Sequence, residues 1–368
     1  MAVSVPDRSA GPLVQRLTAR LAAGERITPD EAAALWRSAG DAELRALAAQ
    51  VRARHHAPGD CTYLVMRIIN YTNVCVAQCD YCAFYVLPGR PGGYVLSREQ
   101  VFAKLDELLA LGGDLAGFNG GFNPHLPLDY YCDLFAAIRQ RYGDRLEFYA
   151  LTVAEFLYLA DHAKLSLGQA AARFRAAGVR WITGGGAEIL TDRFRSRHSK
   201  FKYSVADFFA AQRAILAAGL RTTATMVIGF DETIEERIEH LERTRQFQDE
   251  TGGVASFLCW TYKPYSTALG GAEVASAEYL RHLALCRIYL DNIPRIRTSV
   301  LTQNERALDG LGYGADDFDL PIEDEVTQKA GATISLDFDS LLARARGLGF
   351  TPRYRRVAPG AAASVERF

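Results

Sequence analysis

Three cysteines fall within eight residues, in Cys75-Val-Ala-Gln-Cys79-Asp-Tyr-Cys82, and their spacing is the strongest chemical signal in the sequence. Thiolates this close can cap three irons of a 4Fe–4S cubane, because iron–sulfur clusters are held by Cys thiolates at short local spacings. With no fourth ligand nearby one iron stays open, and an open iron can chelate the amino and carboxylate groups of a small molecule. Three other readings compete: a structural zinc site, a redox Cys79-x-x-Cys82 pair, and an accidental grouping. Zinc wants four ligands, usually in two separated pairs, whereas Cys132, Cys259 and Cys286 each stand alone. A redox pair leaves Cys75 without a role.

Composition narrows the setting. Seven cysteines among 368 residues, three of them crowded together, suit metal or redox chemistry better than a disulfide framework. Apolar residues make up 49% and charged residues 23%, ample material for a core. Net charge is −1 without a basic stripe, so a nucleic-acid partner is not expected. Met1 to Leu13 lack a basic segment followed by an apolar run, and no stretch approaches the roughly 18 apolar residues that cross a bilayer. The expectation is a cytoplasmic protein with no membrane partner.

The elements that must position the cysteines alternate. The first sixty residues read as helical, with Thr28-Pro29-Asp30-Glu31 as a capped helix start and a second helix over Asp41 to His55. β-rich runs follow at Tyr63–Ile69, Leu115–Phe118, Leu146–Leu151, Trp181–Thr183, Thr223–Ile228 and Val254–Thr261. Helical segments separate them at Arg98–Leu111, Leu128–Tyr142, Leu167–Ala177, Val205–Ala218 and Ile234–Glu250. Gly112, Gly143, Gly178 and Gly219 stand just past helix ends. Repeated strand–helix units imply a parallel sheet with right-handed crossovers; their number suits an α/β partial (β/α)6 TIM-like barrel better than a flat doubly wound sheet, a choice the pattern alone does not settle. The tail adds a helix after Ala272, a strand at Arg297–Leu301, and helices after Thr302, Pro321 and Leu336. The expected division is a helical extension over 1–60, the barrel over 61–300 and a closing helical segment over 301–368.

Cys-x3-Cys-x2-Cys with an aromatic before the last cysteine resembles the radical S-adenosylmethionine (radical SAM) superfamily. Ile69-Asn-Tyr-Thr-Asn-Val-Cys75 and Ala83-Phe-Tyr85 are similar to the group of dehypoxanthine futalosine cyclase, aminofutalosine synthase and the deazaflavin-forming synthase. Pro124–Tyr131, Gly184–Leu190 with Asp192-Arg193, Thr222–Met226, Glu239–Arg243 and Gln248–Gly253 look most like the cyclase family. The likeness runs from about Thr28 to Gly331.

That resemblance implies a 4Fe–4S cluster on Cys75, Cys79 and Cys82, with S-adenosylmethionine as cosubstrate. In parallel barrels chemistry gathers at the C-terminal strand ends, and the remaining candidates fall there. Cosubstrate contacts are expected from Tyr81, Asn119, Gly120, Gly121, Thr152, Glu155, Arg193 and the Ile228 backbone, and substrate contacts from Glu188, Trp260 and Lys263. Each has a plainer reading: a turn for Asn119-Gly-Gly121, a helix-start charge for Glu155, a surface ion pair for Arg193, core packing for Trp260. The family also implies a small nucleoside substrate, a flavodoxin or ferredoxin electron donor, and a role in the futalosine route to menaquinone. Asn119, Leu151–Ala154, Cys259 and Asp319–Pro321 depart from the usual cyclase pattern. They leave open a relative acting on another aryl nucleoside, or a non-catalytic iron–sulfur protein.

Overall fold

The computed structural model describes residues 11–357, so most of the stretch from Met1 to Leu13 lies outside the described residues. Three helices come first: α1 (Pro12–Ala22), α2 (Pro29–Ser38) and α3 (Asp41–Arg52). The capping box at α2 forms as its residue types dictate. Thr28 Oγ1 accepts the Glu31 N–H at 3.2 Å, and Glu31 Oε2 accepts the Thr28 N–H at 2.9 Å.

Strands and helices then alternate. They run β1 (Asp60–Ile69), α4 (Arg98–Ala110), β2 (Leu115–Phe118), α5 (Leu128–Tyr142), β3 (Glu147–Thr152), α6 (Val153–His162) and α7 (Leu167–Ala176). Next come β4 (Trp181–Thr183), α8 (Asp192–His198), α9 (Val205–Ala217), β5 (Thr222–Ile228), α10 (Ile234–Thr251) and β6 (Val254–Thr261). The last are α11 (Ser276–Tyr289), β7 (Ile296–Thr298), α12 (Val300–Gln303), β8 (Asp317–Pro321), α13 (Glu325–Lys329), α14 (Phe338–Gly347) and β9 (Thr351–Tyr354). Every ladder is parallel, in the order β4-β3-β2-β1-β8-β7-β6-β5, with β9 beside the start of β1. The two ends nearly meet. Ile182 N–H donates to Arg221 O at 3.1 Å and Gly184 N–H to Thr223 Oγ1 at 3.3 Å, closing most of a barrel.

The six expected strands are all present, and the sheet continues through β7 and β8 to meet β1. The segment after 301, read as helical, thus also supplies a wall strand. Its polarity hid it, since Asp317 and Asp319 are residues that strands disfavour. Asp317 is tolerated because Arg355, Arg297 (3.3 Å) and the Thr62 hydroxyl (2.6 Å) surround it. Burial alone would push its carboxyl up, but the two guanidinium groups hold it below the usual range. The helices α6 and α8 were also unforeseen: α6 starts on the residue after β3, and α8 has only seven residues.

Candidate active site

At the C-terminal ends of the strands the barrel opens into a cavity of about 310 Å³. The loop after β1 crosses it, stapled on both sides. Cys75 N–H donates to Val86 O at 3.0 Å, Val76 N–H to Phe122 O at 3.1 Å, and Gly121 N–H to Thr72 O at 3.0 Å. Gln78 takes φ 48°, turning the chain between the first two cysteines. Cys75, Cys79 and Cys82 are free thiols that line the cavity, and burial pushes all three up. Metal binding therefore has to displace their protons.

The donor set fits a cubane: three free thiols on one loop line the same cavity, and iron–sulfur clusters are held by Cys thiolates at short local spacings.

Tyr81, Asn119, Gly120, Gly121, Thr152 and Glu155 all line this cavity, yet packing explains several of them first. A Cβ on Gly120 would lie 2.5 Å from the Tyr71 ring, and one on Gly121 would overlap Val74 O. The glycine pair lets the β2 end lie against the cysteine loop. Glu155 is 3% exposed and its acceptor sites are filled. Oε1 accepts the Tyr71 hydroxyl (2.5 Å) and the Gly120 N–H (2.8 Å); Oε2 accepts the Thr152 N–H (2.9 Å) and hydroxyl (2.6 Å). A carboxylate offers about four lone-pair sites, so none is left for a ribose hydroxyl. Glu155 is a brace joining the β2 end, the β3 end and Tyr71, and the ribose contact expected of it is withdrawn.

Removing that brace should cost stability. Glu155→Ala strands buried donors at roughly 1–3 kcal/mol each where water cannot reach them. The expected result is a melting temperature lower by several degrees in scanning calorimetry. An unchanged melting temperature with weaker cosubstrate binding would restore the original role.

Arg193 and Ile228 are also corrected. The Arg193 side chain is 63% exposed, pairs with Glu236 at 2.9 Å, and is not among the cavity residues: the surface ion pair stands. Ile228 is buried outside the lining, and its carbonyl accepts the Tyr262 N–H at 2.8 Å. Phe230 takes its place on the wall, 4.6 Å from Tyr262 and 5.2 Å from Tyr81 between ring centroids, an apolar platform for a flat ring.

Glu188, Trp260 and Lys263 do line the cavity. Glu188, at φ 44°, accepts from Lys202 Nζ at 3.0 Å, while its Oε2 is buried with no partner. Lys202 also reaches the Tyr81 hydroxyl at 3.1 Å. Burial disfavours its charge, but the Glu188 carboxylate beside it favours that charge and Lys202 is raised. Lys263 is 7% exposed and pairs with Glu273 at 2.7 Å. Arg297, Asp319 and Asp324 complete the polar wall.

Comparison with known proteins gives the family. Residues 69–244 match the Radical SAM superfamily model, and residues 251–362 match the CofH/MqnC C-terminal region. A cyclic dehypoxanthine futalosine synthase of Halalkalibacterium halodurans is 35% identical over 335 residues, covering 90% of each chain. The chain belongs to the radical SAM superfamily. A second cyclic dehypoxanthine futalosine synthase, from Streptomyces coelicolor, is 38% identical over 87% of this chain and 81% of the relative. An aminodeoxyfutalosine synthase of Thermus thermophilus is 32% identical over 84% of each. Among solved structures, methylornithine synthase (PylB) superposes with TM-score 0.70 at 16% identity over 92% of this chain and 97% of that one, a likeness of fold.

As a radical SAM enzyme the protein uses a 4Fe–4S cluster and S-adenosylmethionine. Among the described residues no helix is long and apolar enough to cross a membrane. Sequence reasoning missed Lys202, Phe230, Arg297 and Asp324 as lining residues. Phe230 lies two residues past β5 and was findable by the strand-end rule. Lys202 comes from the loop after α8, which no periodicity announced.

Proposed function

We propose that the enzyme closes dehypoxanthine futalosine to its cyclic form in the futalosine route to menaquinone. The observation that carries this is the 35–38% identity, along nearly the whole chain, to two cyclic dehypoxanthine futalosine synthases. Cys75, Cys79 and Cys82 would hold the cluster, and the cosubstrate would bind against it in the same cavity. When bound, cluster and cosubstrate supply a 5′-deoxyadenosyl radical that takes hydrogen from the substrate ribose. The ribose carbon then attacks the benzoate ring and closes a spiro ring.

The chain's own part is positioning. Phe230, Tyr262 and Tyr81 flank the adenine, and Asn119 with the Gly120-Gly121 backbone borders the methionine end. Thr152 lies beside them, and Glu188 Oε2 accepts a hydroxyl. Trp260 packs on the aryl group and Lys263 pairs with its carboxylate. Within the described residues, 11–60 extend the barrel, and the segment after 301 adds β8 to its wall as well as helices. The setting is cytoplasmic, with a flavodoxin or ferredoxin as electron donor.

A second reading, a relative acting on another aryl nucleoside, is favoured by one observation: a buried carboxylate, Asp319, in the substrate wall. Reduced, anaerobically reconstituted enzyme with dehypoxanthine futalosine decides between them. Cyclic product, two hydrogens lighter than substrate, supports the cyclase. Deoxyadenosine without cyclic product supports the relative.

A further inference from the structure

Four carboxylates line the cavity, and three of them are already engaged. Glu155 accepts four hydrogen bonds, Glu188 is tied to Lys202 at 3.0 Å, and Asp319 faces Arg297 at 3.5 Å. Asp324 differs, since among the described residues no cation pairs with it. Its Oδ2 accepts the Thr327 hydroxyl at 2.6 Å, while its Oδ1 is buried with no hydrogen-bond partner, and the residue is only 6% exposed. Glu188 Oε2 is the other such oxygen on the wall, but its carboxylate is neutralised by Lys202, which also binds the Tyr81 hydroxyl in the cysteine loop. A buried acceptor is costly to leave unmet, so an orphaned one on a cavity wall calls for a function.

The chain fixes where Asp324 stands. Ile68 N–H donates to Glu323 O at 2.9 Å and Glu325 N–H to Asn70 Oδ1 at 2.8 Å, so both its neighbours are fastened to the β1 end. In the strand order β1-β8-β7-β6, the loop after β8 lies between two others. On one side is the strand that leads to the cysteines, and on the other the strand that carries Trp260 and leads to Lys263. A benzoate paired with Lys263 and a ribose facing the cluster would meet on this side of the cavity.

We infer that Asp324 is the catalytic base of the cyclisation, taking through Oδ1 the proton that the benzoate ring must lose. This rests on the reaction proposed above. When the ribose carbon bonds to the ring, the attacked ring carbon keeps its hydrogen and aromaticity is lost. That carbon–hydrogen bond then breaks: its proton passes to the Asp324 carboxylate, one electron passes to the oxidised 4Fe–4S cluster, and the ring becomes aromatic again. Burial pushes the Asp324 carboxyl up, with the Thr327 hydroxyl opposing. The rise is in the useful direction, because a base works best with a proton affinity near the operating pH.

Asparagine can keep the Thr327 contact through its own carbonyl oxygen, so Asp324→Asn removes the base and leaves the anchor. Wild-type and Asp324→Asn holoenzymes are compared on dehypoxanthine futalosine carrying deuterium on its ribose carbons. Asp324→Asn should lose cyclic product about 100-fold or more, the usual worth of a general base. Deoxyadenosine should still form and still carry deuterium. Freeze-quench electron paramagnetic resonance of the variant should show the ring radical that awaits loss of its proton, with hyperfine splitting that narrows when the benzoate ring is deuterated. Wild-type product levels from Asp324→Asn would overturn the assignment alone. So would an equal loss of deoxyadenosine formation, the mark of a purely structural residue. Loss of product with no ring radical would make Asp324 a positioning residue and overturn its role as base. Wild type that makes no cyclic product would overturn the parent reaction and this role with it.

Discussion

Alanine at any one of Cys75, Cys79 or Cys82 is expected to abolish 5′-deoxyadenosine formation, the largest single effect in the protein. The three thiols face one cavity from one stapled loop, and none has a substitute nearby. Two remaining thiolates leave a second iron open, and a cubane so exposed should be lost. Iron content should drop from about four per chain, the number a cubane holds, to well under one. Cys61, Cys259 and Cys286 are buried in the packed core, and Cys132 lies on α5 outside the cavity lining. Conservative substitutions there should leave iron unchanged. Iron and cosubstrate assays on the seven variants check this; a fully loaded, active Cys79→Ala enzyme would refute it.

The second large effect concerns the substrate carboxylate. Sequence offered two cations for the site, Arg193 toward the cosubstrate and Lys263 toward the substrate, and the structure separates them: Lys263 is 7% exposed on the cavity wall, Arg193 points to solvent from α8. An ammonium has three donors, and Glu273 uses one at 2.7 Å. Truncating the partner of a buried charge typically costs about 2–5 kcal/mol, so Lys263→Ala should lower turnover of dehypoxanthine futalosine by about 100-fold or more. Slow cosubstrate cleavage should persist, because the cluster side of the cavity is untouched. Arg193→Ala should behave as wild type in both assays. Steady-state kinetics on the two variants measures the contrast; the reverse ranking would remove Lys263 from the site.

Much of this was legible in the sequence, for physical reasons that differ by element. The cysteine loop was readable because chemistry fixes both residue type and spacing. The first six strands were readable because buried parallel strands are continuous apolar runs, and the helices between them announced themselves with glycines just past their ends, as at Gly112 and Gly178. β8 was not, because its two aspartates are stabilised by Arg297 and Arg355, which lie 20 or more residues away and on other strands or loops. Side-chain roles failed for the same cause. Glu155 looks like a ligand until Tyr71 and Gly120, distant in sequence, are seen to saturate it. Arg193 follows the glycine run after β4, yet α8 turns it outward.

The most direct test of the central claim follows hydrogen rather than product. Reduced, cluster-loaded enzyme is given dehypoxanthine futalosine carrying deuterium on its ribose carbons, and the deoxyadenosine formed is examined by mass spectrometry. The account predicts one deuterium transferred into deoxyadenosine, with cyclic product formed in step. Deoxyadenosine that carries no deuterium, or no deoxyadenosine at all from enzyme holding a full complement of iron, would contradict it.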